Sequence, residues 1–170
     1  MKNLIKAFVV LMVLVSFSEV KAQISGGLGL VYATNISNIG ININGKYDFN
    51  ETWSAAPTFT YFFKKDNVTW SALDLDANYQ ITDFEKIGSL YALAGLNMTF
   101  YKWKNDLGDW GGEQSETGVD IGFNFGAGLN IPVSEKINVA PEVRYTVGGT
   151  NYFRIGAKVM YTIKAKEWNN

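Results

Sequence analysis

The chain has 170 residues, with 15 basic and 16 acidic side chains and with neither cysteine nor histidine. The lack of cysteine excludes disulfides, thiolate chemistry and a lipid-modified cysteine, and the lack of histidine excludes Ser-His-Asp catalysis, histidine-dependent lipid A deacylases and outer-membrane proteases, and most zinc sites. The nearly balanced charge gives no electrostatic case for binding nucleic acid.

The first 22 residues have the pattern of a secretory signal peptide. Lys2 and Lys6 precede a short apolar core, and a cleavage motif of the Ala-x-Ala type ends at Ala22. The core is much shorter than the roughly 20 residues of a membrane-spanning helix, so we expect 1–22 to be cleaved and not retained as an anchor. Cleavage removes three lysines and one glutamate, which leaves 12 basic and 15 acidic residues and a net charge of −3.

The rest of the chain contains eight segments in which apolar residues alternate with small or polar ones. This period of two is typical of a β-strand whose two faces meet different surroundings. Short turns are predicted near Asn50, Asp83 and Ser134, and Gly148-Gly149-Thr150 is a hairpin signal. In chain order, the predicted strands cover 24–34, 38–49, 53–64, 68–80, 88–101, 119–131, 137–147 and 152–164.

Three of these strands carry irregularities. Both parities of the first are apolar or small, which makes its two faces hard to distinguish. Pro57 in the third removes a hydrogen-bond donor from the ladder, as expected at an edge or a bulge. In the fourth, the apolar parity switches from Val68 and Trp70 to Leu73 and later residues, so we predict a bulge near Ala72.

The sixth strand shows the alternation most clearly. At 119–131 every odd position is apolar and every even position is Asp, Gly or Asn. Strands of soluble proteins usually have about 5 or 6 residues, whereas a tilted membrane-spanning strand needs roughly 9 to 11. At about 3.3 Å per residue and a tilt of about 40°, this strand would rise roughly 33 Å, more than the apolar band of about 25 Å. The segment is therefore long enough to cross an outer membrane.

The small or polar positions that alternate with the apolar ones form a second parity. Its composition favours a membrane barrel over a soluble one. A soluble sandwich or lipocalin-like barrel would expose many Lys, Glu and Thr side chains, whereas this parity is mostly Gly, Asn, Ser, Ala and Thr. Aromatic residues also gather near predicted strand ends, as in interfacial girdles. They are Phe49, Trp53 and Tyr79 at one set of connections and Phe63, Trp70, Tyr101 and Trp103 at the other.

We therefore predict an all-β fold, an eight-stranded antiparallel up-and-down transmembrane β-barrel that spans 23–164 as one domain, with a polar tail at 165–170. The apolar parity is expected to face lipid and the other parity to line the lumen. A periplasmic barrel that binds an apolar ligand remains an alternative, and it would require the inverse orientation.

The chain resembles the small outer-membrane β-barrel family of the OmpA and OmpX type. The resemblance covers the whole predicted mature chain, from residue 23 onward, and includes the phrases Tyr91-Ala-Leu-Ala-Gly-Leu-Asn97 and Phe123-Asn-Phe-Gly-Ala-Gly-Leu129. It implies an integral protein of the bacterial outer membrane, surrounded by outer-membrane lipid and inserted by the barrel insertion machinery. Barrels of this family commonly end in an aromatic residue, whereas here Tyr161 or Ile163 ends the strand and the polar tail follows. We expect a monomer.

Ionisable residues on the predicted inner parity are the first site candidates. Carboxylates among them could support a carboxylate-only hydrolase. However, an eight-stranded lumen is just wide enough for side chains to fill, and buried carboxylates pair with bases. We therefore predict a plug of ion pairs and neither enzyme activity, cofactor nor metal. The candidates are Lys46, Asp74, Asp76, Asp120, Glu142, Arg144, Arg154 and Lys158.

The longest predicted loop, 102–117, is the second candidate site. Its aromatic and acidic residues could bind an extracellular ligand, although their spacing does not match a calcium-binding EF-hand loop. A solvated loop without a ligand is the simpler interpretation. The candidate residues are Trp103, Asp106, Asp109, Trp110 and Glu113.

The sequence predicts a structural or surface-interaction role in the outer membrane. A narrow pore for small solutes or ions is the alternative, because the inner parity is polar.

Overall fold

The computed structural model describes residues 23–65, 68–85, 87–106 and 113–164; the predicted signal peptide and the tail at 165–170 lie outside them. The described residues form eight antiparallel strands that close into one barrel in chain order, with β8 paired to β1. The predicted fold class is confirmed. The strands are β1 (Gln23–Ala33), β2 (Asn38–Asp48), β3 (Trp53–Lys65), β4 (Val68–Phe84), β5 (Gly88–Asp106), β6 (Glu113–Pro132), β7 (Ile137–Gly148) and β8 (Tyr152–Lys164).

The part of the chain that the structure describes holds no helix with the length and hydropathy needed to cross a membrane.

The two faces of the wall have the predicted orientation. Leu28 and Ile121 on the outer face are each 66% exposed, whereas Asn97 and Asn124 on the inner face are fully buried. An apolar outside and a polar inside invert the arrangement of a soluble barrel. The alternative of a barrel that holds an apolar ligand is therefore wrong, because it requires the apolar parity to point inward.

Strands β5 and β6 are longer than predicted. Their pairing continues from Lys102↔Thr117 to Asp106↔Glu113, so most of the predicted loop 102–117 is a β-hairpin. The alternation did not reveal this extension because, apart from Trp103, the sequence at 102–106 and 113–117 is polar at both parities. Strand β4 likewise continues to Phe84, into the segment predicted as a turn.

The predicted bulge near Ala72 is wrong. Ala72 pairs in regular register with Thr60 on β3 and with Thr99 on β5. Its side chain is fully buried, and Trp70 packs on the same inner side. The parity does not change along β4, because the inner face is apolar near the start of the strand and polar further along. The irregularities lie elsewhere, between Phe62 and Lys65 on β3 and between Gln80 and Thr82 on β4.

Two prolines interrupt the ladder on one side only. Pairing of β2 with β3 stops between Asn44↔Thr58 and Tyr47↔Ala55, opposite Pro57. Pairing of β6 with β7 has a similar gap opposite Pro141. Each proline still pairs with the strand on its other side. A missing N–H explains each gap, because proline cannot donate to the ladder.

Candidate functional site

The lumen has two different ends. The turn end carries the β2–β3, β4–β5 and β6–β7 connections together with the start of β1 and the end of β8. The loop end carries the β1–β2, β3–β4, β5–β6 and β7–β8 connections.

The middle of the lumen contains an ion-pair network of six side chains, contributed by β4, β7 and β8. Within each strand they are two or four residues apart, so they share the inward parity. Three are acidic and three are basic, so the network is formally neutral. Its members are Asp74, Asp76, Glu142, Arg144, Arg154 and Lys158.

Asp74 lies at the centre of the network and contacts two guanidinium groups. Arg154 donates to both of its oxygens, with Nη1–Oδ2 2.7 Å and Nη2–Oδ1 3.0 Å. Arg144 Nη1 is 2.9 Å from Asp74 Oδ2 and also 2.9 Å from Asp76 Oδ2. The planar guanidinium forks suit such bidentate and bridging contacts better than an ammonium would.

Glu142 connects the rest of the network. Arg144 Nε donates to its Oε1 at 2.9 Å, and Arg144 Nη2 contacts the same oxygen. Its Oε2 accepts from Lys158 Nζ at 2.8 Å and from the hydroxyl of Tyr91 at 2.8 Å. Both carboxylate oxygens of Glu142 are therefore occupied.

Neutral amides and hydroxyls add hydrogen bonds around the charges, and among the described residues Arg154 Nε is left without a partner. The Nδ2 of Asn97 donates to Asp74 at 2.6 Å, and that of Asn124 donates to Asp74 at 2.8 Å and Asp76 at 3.0 Å. Asn124 Oδ1 accepts from Arg154 and from Thr146. Such satisfaction matters because charges removed from water are costly unless their remaining lone pairs and protons are also paired.

Glycines on β6 make room for these large side chains. A Cβ on Gly126 would lie 2.9 Å from Arg144 Cβ, and a Cβ on Gly128 would lie 2.4 Å from the Tyr91 hydroxyl. The small residues on the inner parity of β6 thus leave space for bulky partners from β5 and β7.

The structure places the other two lumen candidates apart from the network. Lys46 pairs with Asp48 at 2.8 Å toward the turn end, where both side chains are partly exposed. Asp120 lies toward the loop end and accepts a hydrogen bond from the Thr150 hydroxyl. Their parity is the same as that of the network, but their heights along the barrel axis differ.

The hairpin candidates lie at the loop end. Trp103 is exposed, and the backbones of Asp106 and Glu113 pair across the hairpin. Asp109 and Trp110 lie outside the described residues. Over 23–65, 68–85, 87–106 and 113–164, no group of three acidic side chains is arranged to hold a metal ion.

An apolar cluster near the loop end was not predicted from the sequence. Phe62, only 1% exposed, packs inside the barrel with Val31, Ala33, Ala72 and Tyr152. Ile36 and Trp70 pack against this apolar cluster from its edge. The signal was present in the sequence: Phe62 is a large apolar residue on the polar parity of β3.

Tyr152 joins the apolar cluster to the polar centre. Its hydroxyl lies 2.9 Å from Thr99 Oγ1 and accepts from Asn97 Nδ2 at 3.3 Å. The Arg154 guanidinium carbon lies 4.9 Å from the centroid of its ring. The lumen therefore changes from charged to apolar within a few residues of β8.

The turn end, in contrast, contains open space. A turn-end cavity of about 550 Å³ lies among Gln23, Lys46, Asn130, Asn138 and Met160. A recess of about 40 Å³ continues past Asn78 and Tyr91 toward Lys158. Beside the network a gap of about 20 Å³ remains, which is room for about one water molecule.

Comparison with known proteins gives a likeness of structure and not of sequence. No protein-family model and no curated protein matches the chain.

Several solved structures of small barrels superpose on it. Neisserial surface protein A is 16% identical with a TM-score of 0.58, and the match covers 84% of this chain and 97% of that one. Ail, the attachment invasion locus protein of Yersinia pestis, is 18% identical with a TM-score of 0.57, over 83% and 96% of the two chains. The N-terminal β-barrel domain of Pseudomonas aeruginosa OprF is 19% identical with a TM-score of 0.53, over 84% and 98%. The chain therefore has the fold of the small eight-stranded outer-membrane barrels.

Proposed function

We propose that this protein is an integral outer-membrane barrel with a structural or surface-interaction role, whose lumen is plugged by side chains. The observation that carries this proposal is the apolar outer wall. Leu30 on β1, Ile43 on β2 and Phe123 on β6 are each about 60% exposed or more, which is unfavourable in water and favourable in lipid.

Aromatic pairs near both ends of the barrel support a membrane location. Trp53 and Tyr79 pack edge to face at 4.9 Å near the turn end. Tyr61 and Phe63 do the same at 6.5 Å near the loop end. Aromatic rings are typical of the two interfaces of a bilayer, and here they flank the apolar band.

The ion-pair network and the apolar cluster support a plug. All three carboxylates of the network are held by bases, and the apolar cluster lies between the network and the loop end. Paired carboxylates are poor acids and bases for hydrolysis, so we infer a role without catalysis.

The membrane location is tested by extraction and by gel migration. An integral barrel should resist extraction with alkaline carbonate and should migrate differently in detergent before and after boiling. A protein that appears in the soluble fraction, or whose migration does not change on boiling, would contradict the proposal.

Planar-bilayer recording separates a plug from the alternative, a narrow pore. A plug should give no steady openings. Steady openings that change on Glu142→Gln or Arg144→Met, and not on the matched Lys46→Met outside the network, would instead show that the lumen conducts.

We propose that the loop end faces outside the cell and the turn end faces the periplasm. The β5–β6 hairpin supports a surface role, because residues 113–121 of β6 pair with β5 and not with β7, so this part of the hairpin extends beyond the β6–β7 pairing.

Single cysteines test the orientation in a chain that has none of its own. Glu116→Cys, on the hairpin, should react with a membrane-impermeant thiol reagent on intact cells. Glu135→Cys, in the β6–β7 turn, should react only after the outer membrane is opened. The reverse pattern would invert the proposed orientation.

A further inference from the structure

The turn-end cavity has the size of a ligand site. Its volume of about 550 Å³ lies within the range of about 300–1,000 Å³ that small-molecule pockets occupy. It narrows into the recess of about 40 Å³, which is bounded by Asn78, Tyr91 and Met160. The cavity therefore has a wide mouth and a confined floor.

The lining of the cavity and its recess is rich in side-chain amides. Each amide offers both donors and an acceptor, a combination that neither carboxylates nor ammonium groups provide. The amides belong to Gln23, Asn50, Asn78, Gln80, Asn130 and Asn138.

Asn78 supplies an observation that is independent of this composition. Its side chain is 6% exposed, and its Oδ1 is buried without a hydrogen-bond partner among the described residues. Most buried polar atoms are paired, and a rotation of the Asn78 amide would turn this unpaired acceptor toward a donor in the recess. Asn78 lines the recess, where such a donor would lie.

The charges around the cavity disfavour an anionic ligand. Lys46 is paired with Asp48, and Lys158 is paired with Glu142. An anion would find no free base among these lysines and would meet the carboxylates of Glu51 and Asp83 at the mouth. A cation would be attracted by those two carboxylates and would compete with Lys46 for Asp48, so the case for an uncharged ligand rests on the amides and not on the charges.

We propose that the turn-end cavity binds a small, uncharged, hydroxyl-rich molecule of monosaccharide or disaccharide size. Hydroxyl groups both donate and accept, which matches the amides and supplies the donor that Asn78 Oδ1 lacks. The apolar surface of Met160, which lines both the cavity and its recess, suits the C–H face of a sugar ring. This site does not require the lumen to conduct, and it goes beyond the structural role.

Two methionines make the binding measurable with an internal control. Met160 is 4% exposed and lines the cavity and its recess. Met98 lies on β5 with its side chain on the outward parity, away from the lumen. In protein isolated from the outer membrane after methyl-¹³C methionine labelling, the two resonances can be assigned with Met98→Leu and Met160→Leu. The detergent must lack a sugar headgroup.

Titration with maltose to about 50 mM tests the proposal, because sites with few hydrogen bonds bind in the millimolar range. The Met160 resonance should move and saturate, and the Met98 resonance should stay in place. The proposal fails if Met160 does not move, or if both resonances move together. A saturable shift with 1,4-diaminobutane and none with maltose would show that the ligand class is wrong.

Substitution of the unpaired amide locates the site. Asn78→Leu should weaken binding about tenfold, the effect of one lost hydrogen bond in a buried position. Asn42→Leu is the matched control, because Asn42 lines the separate gap beside the network, and it should leave the affinity unchanged.

Equal affinities of Asn78→Leu and Asn42→Leu for maltose would contradict a ligand site at the turn-end cavity. If Asn78→Leu does not give a barrel with heat-modifiable migration, Asn130→Ala takes its place. A loss of about threefold is expected there, and an unchanged affinity would again overturn the site. Migration on the gel tests the barrel itself, so failure of the binding site and failure of the proposed function give different results.

Discussion

The outer wall and the lumen are built from the same strands, yet they are held together by different forces. On the outer wall, Ile43 and Ile121 are largely exposed, and in the proposed membrane location lipid would provide their favourable environment. In the lumen, Asp74 and Asn124 are fully buried and gain stability from ion pairs and hydrogen bonds to each other. The stability of such a barrel therefore depends on hydrogen bonds and ion pairs between its buried polar groups to a greater degree than that of a soluble domain does.

The lumen also differs along its own axis. At its centre, acids and bases balance three against three. Toward the loop end the same inner face becomes apolar around Phe62, and toward the turn end it opens into a cavity. Substitutions inside the lumen should therefore lower the free energy of unfolding most at the centre, which water does not reach, and least at the turn end, which is open to water.

The largest effect is expected for Arg144→Met. The change leaves Asp76 without its base while it stays buried, and breaking a buried pair from one side costs about 3–5 kcal/mol. Urea unfolding in lipid vesicles, followed by tryptophan fluorescence, measures the change in the free energy of unfolding.

The double variant Arg144→Met/Asp76→Asn restores neutrality and should recover about 1–2 kcal/mol of this loss. If the single variant costs less than about 1 kcal/mol, the centre of the lumen is wet and the contrast with the outer wall disappears.

The second prediction compares an inner phenylalanine with an outer one. Phe62→Ala should cost about 3 kcal/mol, because it leaves a void in a packed cluster. Phe59→Ala on the outer wall is the matched control and should cost clearly less, since lipid can fill the space beside a ring that is already 44% exposed. The same vesicle assay measures both losses of unfolding free energy. A larger loss for Phe59→Ala than for Phe62→Ala would place the tightly packed core on the outer wall.

The apolar cluster also shows what the sequence could and could not predict. Alternation located all eight strands, most ends to within one or two residues, because the outer face is apolar and the inner face is polar over most of each strand. The alternation is lost where both parities of a strand have the same polar or apolar character. On the β5–β6 hairpin the sequence is polar at both parities apart from Trp103, and at Val68 and Trp70 the inner face is apolar, a pattern that imitates a bulge that does not exist.

The site was accessible to sequence reasoning only by parity. The alternation places Asp74, Arg154, Lys46 and Asp120 on the inner face, but it gives no height along the axis. Asp74 and Arg154 are 80 residues apart in the chain and meet because β8 closes against β1, a register that local pattern does not contain. The pairing of Lys46 with Asp48 is local, yet nothing in the pattern separates it from the network.

The third prediction probes the outer wall directly. Phe125→Arg places a charge at the middle of the apolar stretch of β6 and should cost about 2 kcal/mol in lipid, as charges on the lipid face of barrels do near the midplane. Val119→Arg, at the end of that stretch, should cost about 0–1 kcal/mol. Unfolding in vesicles again measures both changes. Equal costs at the two depths would mean that no apolar band surrounds the barrel at this height.

The smallest effect is expected at the wet end of the lumen, for Lys46→Met. The Lys46–Asp48 pair lies at the end of β2, three and one residues before the β2–β3 turn, and it lines the cavity with side chains 30% and 20% exposed. A pair that water can reach contributes about 0.5 kcal/mol or less, and that contribution should vanish at about 1 M salt.

Lys158→Met removes a lysine from the same face of the lumen, but from a pair that is only about a tenth exposed, so its cost should be several times larger and should persist in salt. Unfolding of both variants at low and high salt therefore measures where along the axis the lumen becomes dry. Equal losses of unfolding free energy for the two lysine variants would mean that water is excluded as far as the β2–β3 turn. No water-filled cavity would then separate the turn end from the network.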